Sequence, residues 1–153
     1  MSADSLGLIM NFKERTFLNN YREIQEAVAA GERALDSLRA AEKSLNSGGG
    51  WGLFDMFGGG MFSTMIKQSK INDARGELEA ARYALRSFEK ELQDVSRAVD
   101  LRIDIGSFLS FADFFFDNFF VDWMVQSKID QAKSQVSQAI RQVEGILTEL
   151  RRM

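Results

Sequence analysis

Five aspartates in or beside two aromatic stretches are the residues of this 153-residue chain best placed to do chemistry: Asp55, Asp104, Asp113, Asp117 and Asp122. Asp113 and Asp117 are four residues apart and can share a helical face, so together with the others they offer carboxylates for a cation or for an acid–base pair. A hard-cation site needs about six converging oxygens, and carboxylate catalysis needs two acids held in different environments. Spacing alone supplies neither, and helix-end caps or solvated positions are the expected roles. A second candidate is Gly58-Gly59-Gly60-Met61-Phe62-Ser63-Thr64, because glycine-flanked amides at a helix start bind anions. A phosphate loop, however, has its lysine directly before Ser or Thr and a strand ahead of the loop. Here Lys67 follows Ser63 and Thr64 and no strand pattern precedes them, so Gly60 or Ser63 is expected to cap a helix.

The chain has no histidine and no cysteine. That removes the usual neutral-pH base, the thiolate nucleophile and the commonest ligands of transition metals. With no nucleophile–base pair, cofactor motif or metal-ligand cluster in view, a non-enzymatic protein that needs no cofactor is expected. The sharpest polar signal is a recurrence: Asp55 precedes Lys70 by 15 residues, and Asp113 precedes Lys128 by the same 15. If each aspartate folds back onto the start of the following helix, it can meet its lysine or cap the helix N-terminus, where negative charge is favoured. The alternative is that both lysines are exposed and only the caps matter.

Long helices must position these groups. Proline is absent, and the good helix formers are interrupted only by clustered glycines. Apolar or small residues recur in steps of four and three through Phe17, Tyr21, Ile24, Val28, Gly31, Leu35 and Leu38, with Ala27, Ala34 and Ala41 beside that seam. The same rule runs through Ile71, Ala74, Leu78, Ala81, Leu85, Phe88, Leu92, Val95 and Val99, and again through Ile129, Ala132, Val136, Ala139, Val143, Ile146 and Leu150. Strands, with a period of two, cannot produce it.

Sliding the chain by 58 residues superposes Gln68-Ser69-Lys70-Ile71 on Gln126-Ser127-Lys128-Ile129, Asp55 on Asp113, Phe57 on Phe115 and Phe62 on Phe120. Heptad constraints do not select polar Gln, Ser and Lys at fixed places, so an internal duplication of corner plus helix is expected. The first corner, 48–60, holds Trp51 and Asp55 between two glycine triplets. The second, 106–120, is phenylalanine-rich. In it Phe108, Phe111, Phe115, Phe119 and Trp123 fall on one helical face, with Phe114, Phe116 and Phe120 off it, and the set is expected to be buried in protein as a plug.

The segment GGG-W-G-x-x-D-x-x-GGG followed by a Lys-x-Ser-Lys-Ile helix start resembles that of uncharacterised bacterial helical proteins. The resemblance covers residues 48–75 and the aromatic segment near 111–129, and it implies no activity.

The resulting expectation is an all-α, single-domain chain (1–153) of three long antiparallel heptad helices, coiled-coil-like, at 12–46, 62–104 and 121–152, joined by the corners 48–60 and 106–120. Acidic and basic residues nearly balance, at 22 against 19, so there is no single-sign field to hold nucleic acid. The N-terminus lacks a secretory pattern and no stretch reads as a membrane span, so a cytoplasmic location is expected. The expected partner is protein, either a second copy or another helical chain. The rival is a peripheral membrane protein inserting the Phe-rich corner, whose residues 104–122 carry four Asp and no base to meet anionic lipid.

Overall fold

The protein is all-α. A computed structural model describes residues 11–46, 61–98, 105–126 and 128–153, including, within the second helix, the side chains of all but 61–68, 70 and 98. The Gly-rich corner with Trp51 and Asp55 lies outside the described residues, as do the Lys70 side chain and residues 99–104 of the expected second helix. Helix α1 spans Phe12–Asn46, α2 Met61–Ala98, α3 Gly106–Phe114, α4 Phe120–Gln126 and α5 Ile129–Arg152, with a π-helical turn at Phe115–Phe119 between α3 and α4.

Local chemistry sets several of these limits. Asn11 caps α1, its Oδ1 accepting the Glu14 N–H at 2.8 Å. Acidic residues in the first turn of α1 and α5 (Glu14, Asp130) and basic ones in the last turn (Lys43; Arg151 and Arg152) complement the helix dipole. The buried positions recur at steps of three and four: Ala27, Gly31, Ala34, Leu38, Ala41 and Leu45 on α1, Ala74, Leu78, Ala81, Leu85, Phe88 and Leu92 on α2, Ala132, Val136, Ala139, Val143, Ile146 and Leu150 on α5. Positions 58 residues apart (Ala74 and Ala132, Ala81 and Ala139, Leu92 and Leu150) are buried alike.

The aromatic segment is placed differently from expectation. Residues 106–126 form neither a short corner nor the start of the last helix; they run as one α–π–α rod, and α5 begins only at Ile129, after Lys128 in extended conformation (φ −76°, ψ 110°). The rod lies antiparallel to α2, since Arg86 sits over Phe116, Arg82 over Phe120, and Arg75 reaches Met124. Antiparallel ion pairs Arg39–Glu144 and Arg151–Glu32, both 2.9 Å, fix the register of α5 on α1. Both are about half exposed, so they align the helices more than they stabilise them.

Helix α1 packs on α2 and α5, and the rod packs on α2 and α5. Four rods therefore alternate in direction around one core, with α1 and the aromatic rod on one diagonal. Met153 comes to lie against Tyr21 and Ile24 of α1, so the C-terminal end of α5 is at the same end of the bundle as the N-terminal half of α1, and not at the opposite end as three helices would require.

The rods meet at Gly31. A Cβ there would fall 2.6 Å from Leu147 Cδ2 and 2.9 Å from Phe88 Cε1, while the Phe88 ring packs edge-on against Phe108 at 5.4 Å. Gly76 and Gly145, by contrast, have nothing within 4 Å of the place a Cβ would take. A helical glycine costs about 1 kcal/mol relative to alanine, and overpacking a core costs about 1–3 kcal/mol. Urea denaturation should then show Gly76→Ala and Gly145→Ala each gaining up to about 1 kcal/mol, and Gly31→Ala losing about 1 kcal/mol net. A Gly31→Ala protein stabilised like the other two would mean that the layer is loosely packed.

Candidate interaction surfaces

Two surfaces stand out once the rods are in place: the aromatic rod, which is mostly an internal interface, and the N-terminal end of α1, which is uncovered.

In the rod, Phe108, Phe115, Phe119 and Trp123 are buried as their common face requires, with Phe115 packed on Phe119 at 5.0 Å between ring centroids. Phe111 is half-buried. Phe116 and Phe120, expected off that face, are buried as well, at 4% and 5% exposure. The π turn explains this. At about 100° per residue a straight α-helix would carry Phe120 about 120° away from Phe108. The wider turn, closed by the Phe120 N–H donating to the Phe115 carbonyl, winds less per residue and returns Phe120 to the buried side. Phe114 alone of the set is left 44% exposed, with Val121 and Val125.

The α2 side of this interface is polar and regular. Arg86 stacks over Phe116 at 4.2 Å and Arg82 over Phe120 at 4.9 Å, so the guanidinium planes cover rings that would otherwise border water. Arg75 donates to the Met124 carbonyl at 3.2 Å, one of the carbonyls that the end of α4 leaves without a helical partner. None of these arginines was singled out in the sequence, although Arg75, Arg82, Arg86 and the polar Glu89 recur at steps of seven, four and three along one flank of α2.

Asp113 is exposed, and it sits by Glu89 of α2. The continuous helix from Asp113 to Gln126 separates Asp113 from the α5 start by about 20 Å. The expected meeting of Asp113 with Lys128 is therefore not made: Lys128 is exposed, and as N-cap of α5 it provides no side-chain cap hydrogen bond. The rod is helical where a folded-back corner was expected, and that length holds the pair apart.

On α1 the heptad seam is uncovered at its start. Phe17 is 69% exposed and Tyr21 57%, joined by Leu18 at 50% and Phe12 at 82%; full burial begins at Ala27. Phe17, Leu18 and Tyr21 form one stripe, continuing the face on which α5 packs lower down, whereas Phe12 lies about 140° round the helix from Phe17. Below the stripe Glu23, Glu91 and Asp94 bring carboxylate oxygens within 4.8 Å of one another. Burial, and then Glu26, Asp94 and Glu23, push the Glu91 carboxyl up, opposed by Lys90. Asp94 also has Arg97 at 3.9 Å.

Burial likewise raises Glu89, helped by Asp113 and Asp117 and opposed by Arg86, and its Oε2 is buried without a hydrogen-bond partner. A carboxyl raised above its unfolded value contributes most below the ordinary range near 4.5, and that contribution is lost as pH rises through the folded pKa. Glu89→Gln should therefore stabilise the protein at pH 7, with the advantage over wild type vanishing below about pH 4. Thermal melts across pH check this; no gain at neutral pH, or a gain that grows on acidification, would contradict it.

Comparison with protein-family models, with curated proteins and with solved structures finds no match, so the function has to be read from these surfaces.

Proposed function

We propose that the protein acts without catalysis, as a helical interaction module that associates with a second copy or another helical chain through the uncovered N-terminal end of α1. The observation that carries this is the exposed stripe Phe17, Leu18 and Tyr21, three large apolar side chains at least half in water on consecutive turns of one helix. Such a run is costly to leave wet and is the kind of surface that marks an association site. It is also a continuation of a seam already used inside the bundle, so a further helix can pack on it by the same steps of three and four. The heptad spacing and the 58-residue recurrence fit a bundle of coiled-coil character that grew by duplication.

The membrane reading would use the Phe-rich rod. Its rings would first have to leave the core, and each buried phenylalanine is worth about 1.5–3 kcal/mol. The groups already facing out beside Phe114 include Asp113 and Asp117, which an anionic lipid surface repels. Among the described residues no helix is long and apolar enough to cross a membrane.

The triple substitution Phe17→Ser, Leu18→Ser, Tyr21→Ser should leave helix content unchanged, because surface changes of this kind move stability by about 0.5 kcal/mol each. It should abolish association, read as the loss of cross-linked adducts in the native host from a photoreactive residue placed at position 25. Adducts that persist in the triple variant would overturn the assignment of this surface. Co-sedimentation with anionic vesicles that survives the triple variant and is lost on Phe114→Ser would favour the membrane reading instead.

A further inference from the structure

We infer that the outward face of the aromatic rod is a second docking surface, and that it takes a basic amphipathic helix of another protein, one whose apolar face carries Lys or Arg along it. The rod stands diagonally across the bundle from α1. This surface is therefore separate from the uncovered α1 end and does not depend on what binds there.

Burial fixes which side of the rod is outward. Its exposed positions recur at steps of three and four, through Ser110, Phe114, Asp117, Val121 and Val125, on the side away from the buried rings. Val125 is 80% exposed, Val121 57% and Phe114 44%, three large apolar side chains along about three turns. Asp113 directly precedes Phe114, and Asp117 lies one turn before Val121, where residues four apart are neighbours on a helix surface. The two acids thus lie inside the apolar band.

Charge decides what can cover such a band. The rod, residues 106–126, has three Asp and no Lys or Arg. On the neighbouring α2, Arg82 and Arg86 lie over the Phe120 and Phe116 rings, and among the described residues no cation forms an ion pair with Asp113 or Asp117. The excess is felt next door. Burial and then Asp113 hold the Glu89 carboxyl above its ordinary value, Arg86 opposes them and Asp117 adds to them, and Glu89 Oε2 is buried without a hydrogen-bond partner. A purely apolar helix laid on Val121 and Val125 would take Asp117 out of water with no partner, which costs more than the contact returns. An acidic helix or an anionic lipid surface would be repelled. A helix that sets Lys or Arg among its apolar residues covers the valines and pairs the acids in one step, and the sign of the field guides its approach. Three exposed apolar side chains fall short of the roughly 800 Å² per partner of a standard stable interface, so the complex is reversible.

Calorimetric titration of the full chain with a synthetic leucine–lysine helix as long as the rod, about 30 Å, tests this. Wild type should bind the peptide, and more weakly at high salt. Joint Asp113→Lys and Asp117→Lys should raise Kd by about tenfold or more, through loss of the charge pairs. Joint Val121→Ser and Val125→Ser should also raise it by about tenfold or more, through loss of apolar contact. Helix content should be unchanged in both, and the Phe17→Ser, Leu18→Ser, Tyr21→Ser variant should bind as wild type does. Absence of binding to wild type overturns the inference. So does equal binding of a scrambled peptide of the same composition, which would make charge alone sufficient, or of a leucine–glutamate helix, which would make apolar contact alone sufficient. Binding lost in the α1 variant and kept in both rod variants would move the peptide to α1, against this inference and in favour of the α1 reading. Binding of anionic vesicles that disappears with Val121→Ser and Val125→Ser would give the face to lipid and overturn it as well.

Discussion

The close approach at Gly31 is the constraint on which the rest of the bundle depends. With no side chain at that position, the Phe88 ring and Leu147 occupy the space beside α1, and Phe88 in turn makes its edge contact with Phe108 of the aromatic rod. One layer thus joins α1, α2, the rod and α5. The cost of a helical glycine, about 1 kcal/mol, is offset by a packing that no other residue type allows. From that layer the antiparallel registers follow in both directions: Arg39–Glu144 and Arg151–Glu32 between α1 and α5, and the arginines over Phe116 and Phe120 between α2 and the rod.

Much of this was legible in the residues. Steps of three and four over many turns, without proline, leave no alternative to long helices; on α1 the buried set combines Gly31, Leu35 and Leu38 of the seam with Ala27, Ala34 and Ala41 beside it, while Val28 of the seam is half-buried. The fourth rod was not legible, because aromatics on more than one face of a short segment fit a plug across a bundle end as well as a helix lying along it. The π turn that reconciles those faces has no residue signature; Phe115 to Phe119 would be as much at home in an ordinary α-helix. Nor does a heptad seam say how far its partner helix extends. Phe17 and Tyr21 read as core like Leu35 and Leu38, and only the end of α5 near Tyr21 and Ile24 shows that they are left outside. The Asp113–Lys128 recurrence was visible, yet its geometric reading required a folded-back corner that a rigid rod forbids.

The polar residues take roles that their types alone did not disclose. Arg82 and Arg86 shield ring faces on the α2 flank of the rod, while Glu89 is tolerated there against burial and the neighbouring Asp113 and Asp117. At the exposed end of α1, Glu23, Glu91 and Asp94 crowd together below the stripe, with burial and Glu26 adding to the pressure on the Glu91 carboxyl. Aromatic burial thus holds the rods together, while the stripe of Phe17, Leu18 and Tyr21 on α1 is left exposed.

The architecture depends on the aromatic segment being a fourth rod that joins α1, α2 and α5 at one layer. Nuclear Overhauser contacts in a sample with labelled Leu methyls and Phe rings test it most directly. Cross-peaks from the Leu147 methyls to the Phe88 ring, and from Phe88 to Phe108, are the result this architecture predicts. Cross-peaks from Phe88 to Leu147 with none to Phe108, and with Phe108 signals averaged as in a solvent-exposed segment, would contradict it.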